Sequence, residues 1–128
     1  MVQKENLEIK IIDLPIEGEF KVVQLLFDGE LVMLCGYTYH AEILDNFLRQ
    51  NEIKPVKKII KGLLEEKEVP ELTGDRYNIL GMGWAKICTR TNQFQLPYGE
   101  SVDYKIGTDY VFRKQLEQQF SDWKIGTI

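Results

Sequence analysis

Two apolar segments separated by an Asp-Gly dipeptide constrain the fold more than any other feature of this sequence. Residues 20–27 (FKVVQLLF) and residues 31–37 (LVMLCGY) are apolar at nearly every position, which is typical of strands covered on both faces of a sheet. Asp28 and Gly29 between them favour a type I′ turn, in which both central residues have positive φ. We therefore predict an antiparallel hairpin whose register is set by this turn.

The register of this hairpin decides which polar side chains come together. Counting back from the turn, Phe27 faces Glu30 and Lys21 faces Gly36. The glycine is predicted to leave open space over the lysine. His40, the only histidine in the chain, follows four residues after Gly36. An amine and an imidazole are therefore predicted to lie near the same strand-to-helix turn.

Two segments show the period of about 3.6 residues that is typical of an amphipathic helix. Residues 39–50 carry one apolar stripe, with Thr38 as the predicted N-cap and Asn51 as the predicted end. A second helix is predicted to follow Thr108 and Asp109. Its apolar face is formed by Phe112, Leu116 and Phe120.

The rest of the chain contains shorter patterns. Further strands are predicted at residues 7–14, 56–61, 76–87 and 122–125. Residues 63–73 are acidic and predicted to be irregular, and residues 89–107 are predicted to form a long loop or an irregular hairpin. Strands and helices do not alternate regularly, so we predict one α+β domain over residues 1–128, a mixed sheet flanked by two helices.

Charge and composition limit the possible partners. The formal net charge is −4, which argues against nucleic acid because that affinity depends on basic charge. We find neither a signal-peptide core nor an apolar run long enough to cross a bilayer, so we expect no membrane partner and a cytoplasmic location. Cys35 and Cys88 do not form a CxxC or zinc motif, and we expect two reduced core thiols.

His40 and Lys21 are the candidate chemical groups. An imidazole in the first turn of a helix lies beside unpaired N–H groups and a partial positive charge, which attract anions and lower the pKa of the ring. A neutral imidazole can act as a base or a nucleophile. However, a lone histidine there is more often a surface or capping residue that adds little to the core. The residue pattern alone favours that alternative.

Three other patterns favour structural interpretations. The GMG motif at residues 81–83 lacks the third glycine and the following helix of a nucleotide-binding loop, so we expect a bulge or a close backbone approach there. Trp84 and Trp123 are expected to anchor the core. The four lysines between residues 54 and 61 are typical of an edge strand protected from aggregation.

Five short motifs occur in an order that has a counterpart in a known family. They are FK at residues 20–21, GY at 36–37, YHAEI at 39–43, GMGWA at 81–85 and KQLEQQFSDWKI at 114–125. Together they resemble the small phosphohistidine phosphatases of the Janus/Ocnus family. This resemblance implies a mixed sheet flanked by two helices, the fold that the patterns above also predict.

The resemblance also implies a phosphate pocket at the start of the first helix. His40 matches the catalytic residue of the family, and Lys21 matches the lysine that binds phosphate. Backbone amides at Ala41 and in a turn from Gly83 to Ala85 would complete the cradle. No metal or organic cofactor is expected.

The chain departs from the family pattern at several places, among them the segment from Gly36 to His40, which is shorter than in the family. Gly83 occupies the position of a serine. The family's glycine-rich run ending in arginine is replaced by KGLL at residues 61–64, in which Lys61 is a displaced counterpart of the arginine. An unmatched insertion fills residues 89–107. Because it replaces a segment beside the pocket, we expect this insertion to border or reach over the His40 end of the molecule.

The sequence therefore predicts a phosphatase-like protein that hydrolyses a phosphorylated side chain, phosphohistidine or phospholysine. Its partner would be a phosphorylated protein or a small phosphoramidate. The alternative is a non-catalytic module on the same fold that binds an anionic group or a protein, with residues 89–107 making the contact.

Overall fold

The computed structural model describes residues 8–61 and 65–126, and within them the chain forms eight strands and two helices. In chain order these are β1 (Lys10–Ile12), β2 (Glu17–Phe27), β3 (Glu30–Gly36), α1 (His40–Gln50), β4 (Lys57–Lys61), β5 (Glu66–Pro70), β6 (Tyr77–Cys88), β7 (Gln93–Tyr98), α2 (Tyr110–Gln119) and β8 (Lys124–Ile125). The predicted α+β class is confirmed.

Six of the described strands form one mixed sheet in the order β1-β3-β2-β6-β7-β8. The outer pairs, β1 with β3 and β7 with β8, are parallel, whereas the central pairs are antiparallel. β4 and β5 form a separate antiparallel pair. The prediction of a mixed sheet is confirmed, and the two-stranded sheet is an addition to it.

The hairpin of β2 and β3 has the predicted turn and register. Asp28 and Gly29 have φ angles of 49° and 83°, as a type I′ turn requires. Lys21 lies opposite Gly36. The space over that glycine is not open, because a Cβ there would lie 3.1 Å from two carbons of the Ile43 side chain. The glycine thus allows α1 to pack closely against the end of the hairpin.

The two helices cover opposite faces of the mixed sheet. Successive side chains of β2 point alternately to these two faces, so they show which core lies under which helix. Phe20 and Val22 lie in the core on the α2 side, whereas Val23 and Leu25 lie in the core on the α1 side. The helices contribute Phe112 and Leu116 from α2, and Leu44, Phe47 and Leu48 from α1. By the same alternation Lys21 belongs to the α1 face, where it lies opposite the last residue of β3.

Both helices begin near their predicted positions. Asp109 caps α2, where its carboxylate accepts a hydrogen bond from the Phe112 N–H at 2.8 Å. The predicted Thr38 cap of α1 is wrong: Tyr39 is the N-cap and makes no side-chain capping bond. The chain enters the helix one residue later than predicted, and the Ile43 N–H bonds to the Tyr39 carbonyl. Within the described chain, neither helix has the length and apolarity needed to cross a membrane.

Strand β5 contradicts the prediction that residues 63–73 are irregular. It pairs along the whole of β4, with Glu66 opposite Lys61 and Val69 opposite Lys58. The buried residues of β5 are Val69 and Pro70, which are adjacent, so the strand has no apolar alternation of its own. The strand exists because β4 supplies the pairing partner. Residues 62–64, which include most of the KGLL motif, lie outside the described residues.

Residues 89–107 form a hairpin followed by a turn-rich segment, as predicted. β7 pairs with β6, and residues 99–109, which we call the β7–α2 connection, lead to the second helix. The connection runs against β6: a Cβ at Gly83 would lie 2.5 Å from both the Tyr98 carbonyl oxygen and Thr108 Cγ2. The close backbone approach expected at the GMG motif is confirmed.

The two cysteines lie in different surroundings. Cys35 is buried in the core on the α2 side, as predicted. Cys88 is only partly buried because it ends β6, so its predicted core position is wrong. Both thiols are free.

Candidate functional site

A cleft of about 370 Å³ lies beside Lys21 of β2, near the turn from β3 to α1. One side of it, the hairpin wall, is formed by Lys21, Tyr39, His40 and Trp84. The other side, the connection wall, is formed by Glu65, Lys67, Glu100, Ser101, Val102 and Asp103. Because four of these residues belong to the β7–α2 connection, the expectation that residues 89–107 border the His40 end is confirmed.

Lys21 contributes a cation that is packed against aromatic rings. Its Nζ lies 5.1 Å from the centroid of the Tyr39 ring and 5.2 Å from that of Trp84. Lys21 and Trp84 are direct cross-strand partners, which places both on the same face. Among the described residues, no carboxylate lies within salt-bridge distance of this ammonium. Aromatic faces hold a cation without neutralising it, so its charge is available to an anion.

His40 is oriented by β6. Its side chain is only 7% exposed, and Nε2 donates a hydrogen bond to the Gly83 carbonyl oxygen at 2.9 Å. Because a carbonyl oxygen only accepts, the proton is on Nε2, and a neutral ring carries its lone pair on Nδ1. The expectation of an exposed surface residue is therefore wrong.

The surroundings of His40 favour the neutral ring. Burial lowers the pKa of His40 below its ordinary value of 6.5, and the charge of Lys21 lowers it further. The hydrogen bond to Gly83 and the charge of Asp103 act in the opposite direction without reversing the shift. At neutral pH the imidazole is therefore a base with a free nitrogen lone pair.

Lys67 and Asp103 join the two parts of the connection wall. Lys67 Nζ lies 3.0 Å from Asp103 Oδ2, and the same nitrogen lies 4.3 Å from the centroid of the Tyr39 ring. The hydrogen bond to Asp103 raises the pKa of Lys67 above its ordinary value. This ion pair thus holds β5 and the β7–α2 connection, which are distant in sequence, together beside the hairpin wall.

The remaining residues implied by the family resemblance are placed differently from Lys21 and His40. Gly83 meets His40 through its carbonyl oxygen, but Ala41 and Ala85 do not line the cleft. Ala85 is fully buried in the core on the α2 side. The expected turn from Gly83 to Ala85 is wrong, because both residues lie within β6. A phosphate-binding role for these backbone amides stays a prediction.

Sequence reasoning missed four of the lining residues that matter most. Trp84, expected in the core, lines the cleft, and Tyr39 provides the ring against which both lysines pack. Tyr39 could have been found from its position beside His40 in the YHAEI motif. Lys67 and Asp103 have no local signal. Lys61, the displaced counterpart of the family arginine, is exposed at the end of β4 and does not line the cleft.

Neither a cluster of metal ligands among the described residues nor a matching family identifies the chemistry of the cleft. Among residues 8–61 and 65–126, no three His, Cys, Asp or Glu side chains are grouped so that they could hold a metal ion. No protein-family model and no curated protein sequence matches the chain. The resemblance to the Janus/Ocnus family thus rests on its five motifs, and function has to be argued from the geometry of the cleft.

Proposed function

We propose that the protein is a phosphatase of the Janus/Ocnus type that removes the phosphoryl group from phosphohistidine or phospholysine. The observation that carries this proposal is one cleft in which a neutral imidazole lies beside Lys21, whose ammonium has no ion-pair partner among the described residues. The substrate is a phosphorylated protein or a small phosphoramidate. The free thiols of Cys35 and Cys88 fit a cytoplasmic location.

Lys21 supplies the charge that phosphoryl transfer requires. The main catalytic demand of this reaction is to stabilise negative charge on the phosphoryl oxygens. Packing between Tyr39 and Trp84 keeps the ammonium at the cleft and excludes part of its water. Electrostatic attraction is stronger where water is excluded, so a single half-buried lysine binds a dianion better than an exposed one.

His40 can act in two ways, and Nδ1 is the reacting atom in both. As a general base, Nδ1 accepts a proton from water while the water oxygen bonds to phosphorus. The P–N bond breaks, its electron pair goes to the leaving nitrogen, and that nitrogen takes up a proton. As a nucleophile, Nδ1 itself bonds to phosphorus while the P–N bond of the substrate breaks, and its electron pair goes to the leaving nitrogen, which takes up a proton. Water then attacks the phosphorylated imidazole, the new N–P bond breaks, and phosphate and the free ring are released.

The activity is tested by measuring phosphate release from a phosphoramidate with the native protein and with His40→Asn. The asparagine side chain has no basic nitrogen, so it can act neither as the base nor as the nucleophile. We expect kcat to fall by roughly 10²- to 10⁴-fold, with unchanged far-UV circular dichroism. Glu42→Gln, at an exposed position in the same helical turn, is the control and should keep full activity. Native activity in the His40→Asn protein would remove His40 from the mechanism.

The two roles of His40 are separated by rapid quenching. A nucleophilic His40 accumulates a phosphoryl group that mass spectrometry detects on the peptide containing residue 40 when the quench is alkaline. A general base leaves this peptide unmodified at every time point while phosphate is released.

The second candidate is a non-catalytic module that binds an anion or a protein in the same cleft. It is favoured by Gly83, which lacks the serine hydroxyl of the family, and by Asp103, which already pairs with one of the two lysines. Phosphate binding by native protein, together with no hydrolysis of any phosphoramidate, would support this module and contradict the phosphatase.

A further inference from the structure

Two ammonium groups lie against one aromatic ring in the cleft. Lys21 Nζ is 5.1 Å and Lys67 Nζ is 4.3 Å from the centroid of Tyr39. Two cations this near to one ring repel each other, and the arrangement is stabilised when an anion lies between or beside them. His40 lines the same cleft, and the charges of Lys21 and Asp103 both act on it.

The Lys67 ammonium already forms an ion pair with a carboxylate of the protein itself. Asp103 Oδ2 lies 3.0 Å from Lys67 Nζ, and the Asp103 side chain is only 14% exposed. Glu65, on the same wall, is a second carboxylate whose charge acts on Lys67. Lys21 has no such partner among the described residues. The Lys67 ammonium is therefore paired with a carboxylate, whereas within the described chain the Lys21 ammonium is not.

We propose that Lys67 is a second phosphoryl-binding residue, and that the Asp103 carboxylate occupies its ammonium until a phosphoryl oxygen displaces it. This proposal rests on the proposed function only for the identity of the anion. A carboxylate oxygen and a phosphoryl oxygen accept the same hydrogen bonds from an ammonium. Lys67 thus takes the place of the arginine that the family motif would supply and that Lys61 does not.

Exchange of the Asp103 carboxylate for a phosphoryl oxygen predicts effects of substitution on phosphate binding that differ from those of an ordinary salt bridge. If Asp103 competes with phosphate for Lys67, removing the carboxylate tightens phosphate binding and removing the ammonium weakens it. If the pair only holds the connection wall in place, both changes loosen the same wall, and both weaken binding. The two explanations therefore predict opposite signs for one substitution.

The test measures the dissociation constant of inorganic phosphate by calorimetry or by titration of amide NMR shifts. We expect Lys67→Met to weaken binding and Asp103→Asn to tighten it, each by roughly three- to tenfold at low salt. Lys58→Met is the matched control, because Lys58 also packs over a tyrosine, 5.8 Å from the Tyr104 centroid, but does not line the cleft. It should leave phosphate binding unchanged.

The double variant Lys67→Met/Asp103→Asn tests whether the Asp103 carboxylate weakens phosphate binding by its charge alone, without pairing with Lys67. In our proposal the gain from Asp103→Asn passes through Lys67, so in the Lys67→Met background it falls below roughly twofold. An equal gain in both backgrounds, weaker binding in both single variants, or no change in either overturns the exchange. Phosphate binding that shows the predicted signs without phosphoramidate hydrolysis would contradict the proposed function alone.

Discussion

The two walls of the cleft are held in place by different forces. The hairpin wall is part of elements whose apolar side chains fill the core on both faces of the sheet, including Val23 and Leu44 on the α1 side. The connection wall contributes fewer buried residues to this core, Val69 and Tyr104, and depends more on polar contacts, such as the ion pair of Lys67 with Asp103 and the hydrogen bond from the Tyr104 hydroxyl to the Pro70 carbonyl.

This difference separates global from local stability. Elements that share the main core open only when the domain unfolds, whereas segments held by a few polar contacts can open alone at lower free energy. We therefore expect the imidazole and Lys21 to keep their positions throughout the native state. The connection wall is the part of the cleft that can move aside, and it carries the Asp103 carboxylate that the substrate has to displace.

The largest effect is expected from Leu44→Ala, which damages the support of the hairpin wall. Leu44 is fully buried in α1, so its loss leaves a cavity and should lower the free energy of unfolding by about 2–5 kcal/mol. Urea denaturation measures this change. Asn46→Ala, an exposed position in the same helix, is the control. A change below about 1 kcal/mol would show that α1 does not anchor this wall.

A smaller and more local effect is expected from Tyr104→Phe, which damages only the connection wall. The lost hydroxyl leaves the Pro70 carbonyl without its partner at 2.8 Å, at a cost of about 0.5–1.5 kcal/mol. Amide hydrogen exchange should accelerate at Ser101 and Lys105 but not in α1. Tyr110→Phe, at an exposed tyrosine, should change neither. Acceleration spread equally over both walls would contradict their independence.

The smallest effect is the pH dependence that His40 adds to stability. Its pKa is below 6.5 in the folded protein, mainly because of burial, so between that value and 6.5 the unfolded chain binds more protons. Stability therefore falls as the pH decreases through this window and levels off below the folded pKa. His40→Asn lacks this contribution. Comparing urea denaturation of the two proteins at about pH 7.5 and 5.5 isolates the contribution of His40. A native protein that gains stability over the variant at low pH would show a protonated His40, which cannot act as the base.

Lys21 and His40, two of the four residues of the hairpin wall, could be predicted from the sequence because their signals are local, whereas Tyr39 and Trp84 were missed. The Asp28-Gly29 turn fixes the register by itself, and counting back along both strands from the turn places Lys21 opposite Gly36. The apolar period of α1 then brings His40 to the same end of the sheet. None of these steps needs information from a distant part of the chain.

The connection wall could not be predicted because its contacts are long-range. β5 has one strongly apolar residue, Val69, and becomes a strand only through its pairing with β4. Lys67 and Asp103 are separated by 36 residues and belong to no motif. The burial of His40 was also missed, because it depends on the Gly83 carbonyl, 43 residues away.

The close packing around Gly83 restricts which substitutions are possible at this position. The Tyr98 carbonyl and Thr108 already occupy the volume that a side chain at position 83 would need. A serine there and the present path of the β7–α2 connection are therefore mutually exclusive, and the effect of Gly83→Ser depends on the sequence of a different segment. A lineage could acquire that hydroxyl only together with a change in the path of this neighbouring segment.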